Sequence, residues 1–156
     1  MLEVNLWDSM FYIWICFLVF LDLYTKYLAK INLQDTIYLV GDFLYLRYVE
    51  NVGIAFSIPL TWLLLKVLTI VIIWVIFWYY LNEEKNKKHL ITDLSFAFIL
   101  SGALWNGYER VFNSKVIDFI GVKYFSVFNL ADIFITVWCS IYLISLIIDN
   151  KNKNGK

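Results

Sequence analysis

Histidine and cysteine are almost missing from this chain. His89 is the only histidine in 156 residues, and the two cysteines, Cys16 and Cys139, both lie inside long apolar runs. One histidine leaves no parts for an HExxH zinc motif, a Ser-His-Asp triad or a Cys-His pair. Two cysteines embedded in apolar sequence read as small buried hydrophobes rather than as a disulfide framework. Proline occurs once, no Ser- or Pro-rich linker interrupts the chain, and one domain over 1–156 is expected. Charge is scarce too: 17% of residues are charged, and 13 Lys and Arg cancel 13 Asp and Glu. Soluble domains carry about 25%. Zero net charge also removes the basic footprint of a nucleic-acid binder, so no nucleic-acid partner is expected. The chemistry must be done with carboxylates, amides, lysine and arginine.

What the chain has in excess is apolar surface, with 62% hydrophobic and 20% aromatic residues. Four runs are long enough to cross a bilayer, which takes about 20 mostly apolar residues: 9–29, 60–81, 90–108 and 127–148. The first lacks the basic start and small-residue cleavage site of a removable leader, and Asp22 and Lys26 interrupt its end, so it is expected to stay. Between the first two runs, 35–57 is rich in Tyr, Val, Ile and Phe around a Gly41-Asp42 turn signal, which is strand composition. A shorter echo runs from Lys115 to Phe128. The expected architecture is an all-α membrane protein of four transmembrane helices with a small extracytoplasmic β-sheet. That sheet either touches lipid headgroups or a lipidated partner, or simply caps the bundle.

Lysine and arginine set the orientation. The flanks 1–8, 82–89 and 149–156 hold six basic residues in 24, whereas 30–59 and 109–126 hold five in 48. The denser side is cytoplasmic by the positive-inside rule, which puts both termini there.

Polar groups inside such runs are costly and call for a partner or a role. On this topology Asp22, Lys26, Asn51, Asn106, Arg110, Asp118, Asn129 and Asp132 all fall at the outer interface. Most have a plain structural reading. Asp22 and Lys26, four apart, suit a helix-surface ion pair; Asn106 and Arg110 suit an interfacial anchor; Asn129 and Asp132, three apart, suit a helix cap. Asp132 fits that reading least, being a carboxylate in apolar sequence. Together with Asp118 it suggests a second reading: two aspartates in contact share one proton, one acting as base on water and the other as hydrogen-bond donor to a carbonyl. A small multi-pass ion or proton transporter subunit and a non-catalytic membrane scaffold are the competing classes. A transporter needs polar residues continuing toward the other membrane face, and a scaffold tolerates loss of both aspartates.

Five blocks carry a specific likeness: Asp22-x-x-x-Lys26, Asn51-x-Gly53-x-Ala55-Phe56, Gly102-Ala103-Leu104-x-Asn106-x-x-x-Arg110, Val116-Ile117-Asp118-Phe119 and Phe128-Asn129-Leu130-Ala131-Asp132. In this order, over nearly the whole chain, they resemble the lipoprotein signal peptidases (signal peptidase II). The resemblance implies an intramembrane aspartyl endopeptidase of the bacterial cytoplasmic membrane. Such an enzyme cuts a prolipoprotein just before a diacylglyceryl-modified cysteine, with that precursor and membrane lipids as partners and no metal or organic cofactor. It implies Asp118 and Asp132 as the catalytic pair. Around them, Asn51, Gly53, Asn106, Arg110, Asn129, Asp22 and Lys26 match the family's substrate-binding or site-supporting positions. The third block departs from the family's usual Gly-Asn-x-x-Asp-Arg, with Trp105 for the glycine and Glu109 for the aspartate, and 118–128 is shorter than in many members.

Overall fold

The computed structural model describes residues 6–53, 62–87 and 89–154. Ala55 and Phe56 of the second block, the end of the 35–57 segment, the first two residues of the 60–81 run, and Lys88 and Lys156 of the basic flanks lie outside them. Among the described residues four helices are long and apolar enough to cross a membrane: α1 (Leu6–Asn32), α2 (Trp62–Tyr79), α3 (Leu90–Tyr108) and α4 (Leu130–Asn154). α2 and α3 each run on into a π-helical turn, Tyr80–Glu84 and Glu109–Asn113. The fourth helix starts at Leu130 rather than 127, because Val127–Phe128 pairs as a strand.

α3 is the central helix. Its buried residues include Ser95, Phe96, Ile99, Leu100 and Asn106, whereas α1, α2 and α4 turn Phe17, Phe20, Ile70, Trp74, Leu143 and Ile147 outward. An apolar surface that wide belongs in lipid rather than water. At the end away from the sheet, Phe11, Tyr80 and Phe96 stack in sequence and Tyr142 meets Phe96 edge to face, with ring centroids 4.6, 5.1 and 5.0 Å apart, and these rings lock the four helices together.

The opposite end of the bundle carries one antiparallel sheet in the order β1 (Ile37–Val40), β2 (Leu44–Asn51), β3 (Val116–Val122), β4 (Val127–Phe128). Gly41, at φ +51, turns β1 into β2, and Phe43 N donates to Val40 O at 3.0 Å to close the turn. A residue at the first central position of such a hairpin needs positive φ, which glycine adopts without strain. β2 lies against β3 with Val49 opposite Asp118 and Asn51 opposite Val116. A register shift between Leu46 and Val49 bends the strand, as bulges near sites commonly do. Along β3, Val116 and Asp118 alternate with Ile117 and face inward, so the strand period itself delivers one carboxylate to the top of the bundle.

Close contact of α3 with α4 depends on Gly102. A Cβ there would lie 2.6 Å from the Ala131 carbonyl oxygen, in the first turn of α4. Small residues at such crossings let helix backbones meet in membranes. Gly102→Ala is therefore expected to destabilise the protein by about 1–3 kcal/mol, as overpacking does. Gly107→Ala should cost less, because its nearest obstacle is the mobile end of the Ile73 side chain. Thermal unfolding of the two variants in one detergent checks the order.

Candidate active site

Five elements converge where sheet meets bundle: α1 brings Asp22 and Lys26, β2 ends in Asn51, α3 and its π turn supply Asn106, Glu109 and Arg110, β3 supplies Asp118, and α4 opens with Asn129 and Asp132. The start of α4 is the hinge of the arrangement. A helix begins with backbone N–H groups that have no partner within the helix. Asn129 Oδ1 accepts from Asp132 N at 3.0 Å, and Asp132 Oδ2 accepts from Asn129 N at 3.1 Å. This is a reciprocal capping box. The cap commits the oxygen of the Asn129 amide, so its nitrogen must point the other way. Nδ2 donates to Asp118 Oδ1 at 2.7 Å and approaches Asn106 Oδ1 at 3.2 Å and Ile117 O at 3.3 Å. Helix capping and site building are one interaction here, not alternatives.

A buried cation fixes the next amide. Lys26 Nζ donates to Asn106 Oδ1 and to Glu109 Oε2, each at 2.7 Å, and lies 2.8 Å from Asp22 Oδ2. Lys26, Asp22, Asn106 and Glu109 are all buried. With its oxygen on the ammonium, Asn106 directs Nδ2 at Asp132 Oδ1, 2.9 Å away. Asp22 Oδ1 meanwhile accepts from Ala131 N at 2.9 Å, placing a carboxylate at the positive end of α4. The Asp22–Lys26 pair is thus an i,i+4 ion pair as its spacing suggests, but it points into the protein, not along a helix surface.

Asn51 completes the set. Its Oδ1 accepts from Gly53 N at 3.0 Å, which leaves Nδ2 to donate to Asp118 Oδ2 at 2.9 Å. Gly53 itself is buried and acts through Asn51. Each aspartate therefore accepts two hydrogen bonds: Asp118 from Asn51 and Asn129, Asp132 from Asn106 and Asn129.

Asp118 and Asp132 border the same cavity of about 420 Å³ with Asn51 and Arg110, its floor made by Phe128, Ile133, Thr136 and Val137. Ile133, Thr136 and Val137 lie one to five residues along α4 from Asp132 and continue its face down the helix, where Thr136 and Val137 are exposed on the bundle's outside. Arg110 is not a plain anchor at the bundle's edge: its Nε is buried, with no hydrogen-bond partner among the described residues. Burial, the largest influence, raises the Asp118 carboxyl to about 6, the Asn51 hydrogen bond opposing the rise and the charge of Asp132 adding to it. A carboxyl of raised proton affinity that shares a cavity with a second carboxyl can serve with it as an acid and a base toward a water and a carbonyl. Among the described residues no group of three or more His, Cys, Asp or Glu is arranged to hold a metal.

Glu109 is the member that sequence reading set aside as a mere departure. Its partner Lys26 is 83 positions away, but Glu109 falls three after Asn106 and one before Arg110, on a face already marked as polar. The π turn Glu109–Asn113, closed by Ser114 at φ 58, carries the longer side chain to the ammonium.

A family model described as Signal peptidase (SPase) II, an aspartic peptidase family, matches residues 14–148. A lipoprotein signal peptidase of Chlorobium phaeobacteroides is 32% identical over 153 residues, covering 87% of this chain and 94% of the relative. One from Caldanaerobacter subterraneus is 36% identical over 126 residues, covering 79% and 86%. A bacterial membrane enzyme solved by the in meso method at 2.3 Å superposes with a TM-score of 0.81 at 25% identity, over 95% of this chain and 93% of the other. With the family model spanning most of its length and relatives above 30% identity, this chain belongs to the signal peptidase II family of aspartic peptidases.

Proposed function

We propose that the protein is the endopeptidase that removes the signal peptide of diacylglyceryl-modified prolipoproteins, cutting the bond just before the lipidated cysteine, with Asp118 and Asp132 as its catalytic pair. The observation that carries this reading is the single cavity bordered by both carboxylates, polar at its rim and apolar along α4. The signal helix of the substrate enters from lipid, and its acyl chains stay in the bilayer beside the apolar floor. Holding those remote parts positions the scissile carbonyl, which is how non-reacting groups lower a barrier. One ionised aspartate takes a proton from water as the oxygen attacks the carbonyl carbon; the protonated partner donates to the carbonyl oxygen. The tetrahedral intermediate collapses with the C–N bond breaking, the proton passing to the leaving amine, and the pair returns to one shared proton. Arg110 Nε, buried beside this cavity without a partner among the described residues, is suited to the substrate's backbone carbonyls. Asn51, Asn106 and Asn129 hold the carboxylates; Asp22, Lys26 and Glu109 hold the amides.

The reaction needs no cofactor. In this reading the enzyme sits in the bacterial cytoplasmic membrane with both termini cytoplasmic and its sheet at the outer surface, where membrane lipids surround α1, α2 and α4.

Purified protein is expected to cleave a diacylglyceryl-modified precursor in detergent or lipid. Asp118→Asn and Asp132→Asn should each lower kcat by about 10²–10⁴-fold, the contribution of general acid–base catalysis, with unfolding temperature close to wild type. Most activity surviving in either variant would remove that residue from the pair. Ion flux in liposomes without a cleavage product would favour the transporter class instead.

The acidity of Asp118 sets the sign of the pH dependence. Its protonated form is lost as pH rises through about 6, so kcat/KM, which reports free-enzyme groups, should fall on that alkaline side. Asn51→Leu removes a hydrogen bond that favours the ionised form, and the alkaline limb should then move to higher pH. A limb that stays in place or moves down contradicts the assignment of that limb to Asp118.

A further inference from the structure

Two cavities, not one, meet at Asp118. Beside the cavity along α4 lies another of about 320 Å³, bordered by Val49, Asn51, Asp118 and the 124–127 turn. They share Asn51, Asp118 and residues 125–127. What is particular to each differs in kind. The first adds Arg110, Asp132, Ile133, Thr136 and Val137 from the helices and their π turn, with Phe128 from β4; the second adds Val49 and Tyr124 from the sheet and its turn. A chain lying across Asp118 therefore has one end along the face of α4 and the other at the sheet, beyond the helices.

The turn forming the outer wall is built against local preference. Phe125 N donates to Val122 O at 2.9 Å, closing a tight turn, and Tyr124 holds its third position at φ 67. Glycine or asparagine normally fills that position, and a bulky side chain at positive φ is strained. The Tyr124 ring gains little inside the protein in return. It is 94% exposed, and the Lys123 ammonium lies 5.2 Å from its centroid. Lys123 in turn pairs with Asp42 and donates its backbone N–H to Phe43 O at 2.8 Å, which ties the turn down to the β1–β2 hairpin. An observed outlier at the rim of a site is the kind of strain from which a role can be argued. A rigid aromatic ring held open to solvent on a pinned turn is suited to contact something that arrives from outside.

We infer that the second cavity, walled by Tyr124, binds the first residues that follow the lipidated cysteine, with the Tyr124 ring packed on the outgoing peptide. The inference rests on the peptidase reading above and adds a binding site to it. Of the three parts of such a substrate, the signal helix and the acyl chains are apolar and belong with the bundle. The mature chain is water-soluble and must leave at the sheet end, through the space between Val49 and Tyr124. Beyond Asn51 and Asp118 the walls are Val49, Tyr124, Phe125, Ser126 and Val127, so the occupant is an extended peptide with small or uncharged side chains.

Two synthetic diacylglyceryl-cysteine substrates with the same signal sequence test this, one extended three residues beyond the cysteine and one ending at the cysteine amide. The full chain is assayed in one lipid or detergent, and kcat/KM is measured for both. Wild type should favour the extended substrate by about tenfold, the order of an aromatic contact plus remote binding. Tyr124→Gly suits the backbone of the turn and should bring the ratio of extended to truncated close to one, whereas Tyr124→Phe keeps the ring and should keep the ratio. Tyr124→Asn, also compatible with positive φ, should behave like the glycine variant and guards against a loosened turn. A wild-type ratio near one, or an unchanged ratio in Tyr124→Gly and Tyr124→Asn, overturns the inference. Cleavage of neither substrate by wild type overturns the peptidase reading itself, a distinct result.

Discussion

One buried ammonium orders the rest of the site. Lys26 stands on a membrane helix between two carboxylates and an amide, at 2.7–2.8 Å from each. Removing one partner of such a buried pair typically costs about 3–5 kcal/mol, because the remaining charge is stranded in a poor solvent. Two arms lead from it toward the reacting carboxylates of the proposed mechanism. Through Asn106 it directs a donor at Asp132; through Asp22 it anchors the first turn of α4, whose cap residue Asn129 directs a donor at Asp118. Every amide along both arms has its oxygen committed first, and this is what gives its nitrogen one direction. The charge cluster touches neither Asp118 nor the cavity; it acts by orienting the amides, and the Lys26 charge also favours the ionised form of Asp118 from a distance.

The division between helices and sheet follows from the same economy of polar groups. In lipid, backbone hydrogen bonds must be satisfied within helices, which leaves the spans few places to present reactive side chains. Here they do so at their ends, where π turns and caps open the backbone, and a strand supplies the remaining carboxylate. The sheet lies over the sheet-side ends of the helices, so Asp118 and Asp132 come from different secondary structures yet border one space. Burial then raises the proton affinity of Asp118, which suits it to the acid role in such a pair.

Some of this was legible in the residues and some was not, for physical reasons. Four long apolar runs announce four spans, since nothing else holds about 20 such residues together. The strand composition of 35–57 and the Gly41 turn announce a hairpin. The start of α4 was misplaced because Val127 and Phe128 are as apolar as the helix behind them, and only pairing with β3 makes them strand. Asn129 and Asp132 at three apart left capping and a functional site as alternatives; the carboxamide has two ends and does both. The bond between Lys26 and Glu109 depends on how α1 packs on α3, which no local spacing encodes. The strained turn at Tyr124 was invisible, because its sequence lacks the glycine or asparagine that would have announced it.

The central claim is that Asp118 and Asp132 hold a single proton between them over the cavity they share. Isotope-edited infrared spectroscopy with labelled aspartate, on wild type against Asp118→Asn and Asp132→Asn, reads that proton directly through the carboxylic-acid stretch. The account predicts one protonated carboxyl in the pair near pH 5, lost as pH rises through about 6 and absent at that pH from Asp118→Asn. Two carboxyls ionising together in the ordinary aspartate range, about 3.9, with neither affected by loss of the other, would contradict it.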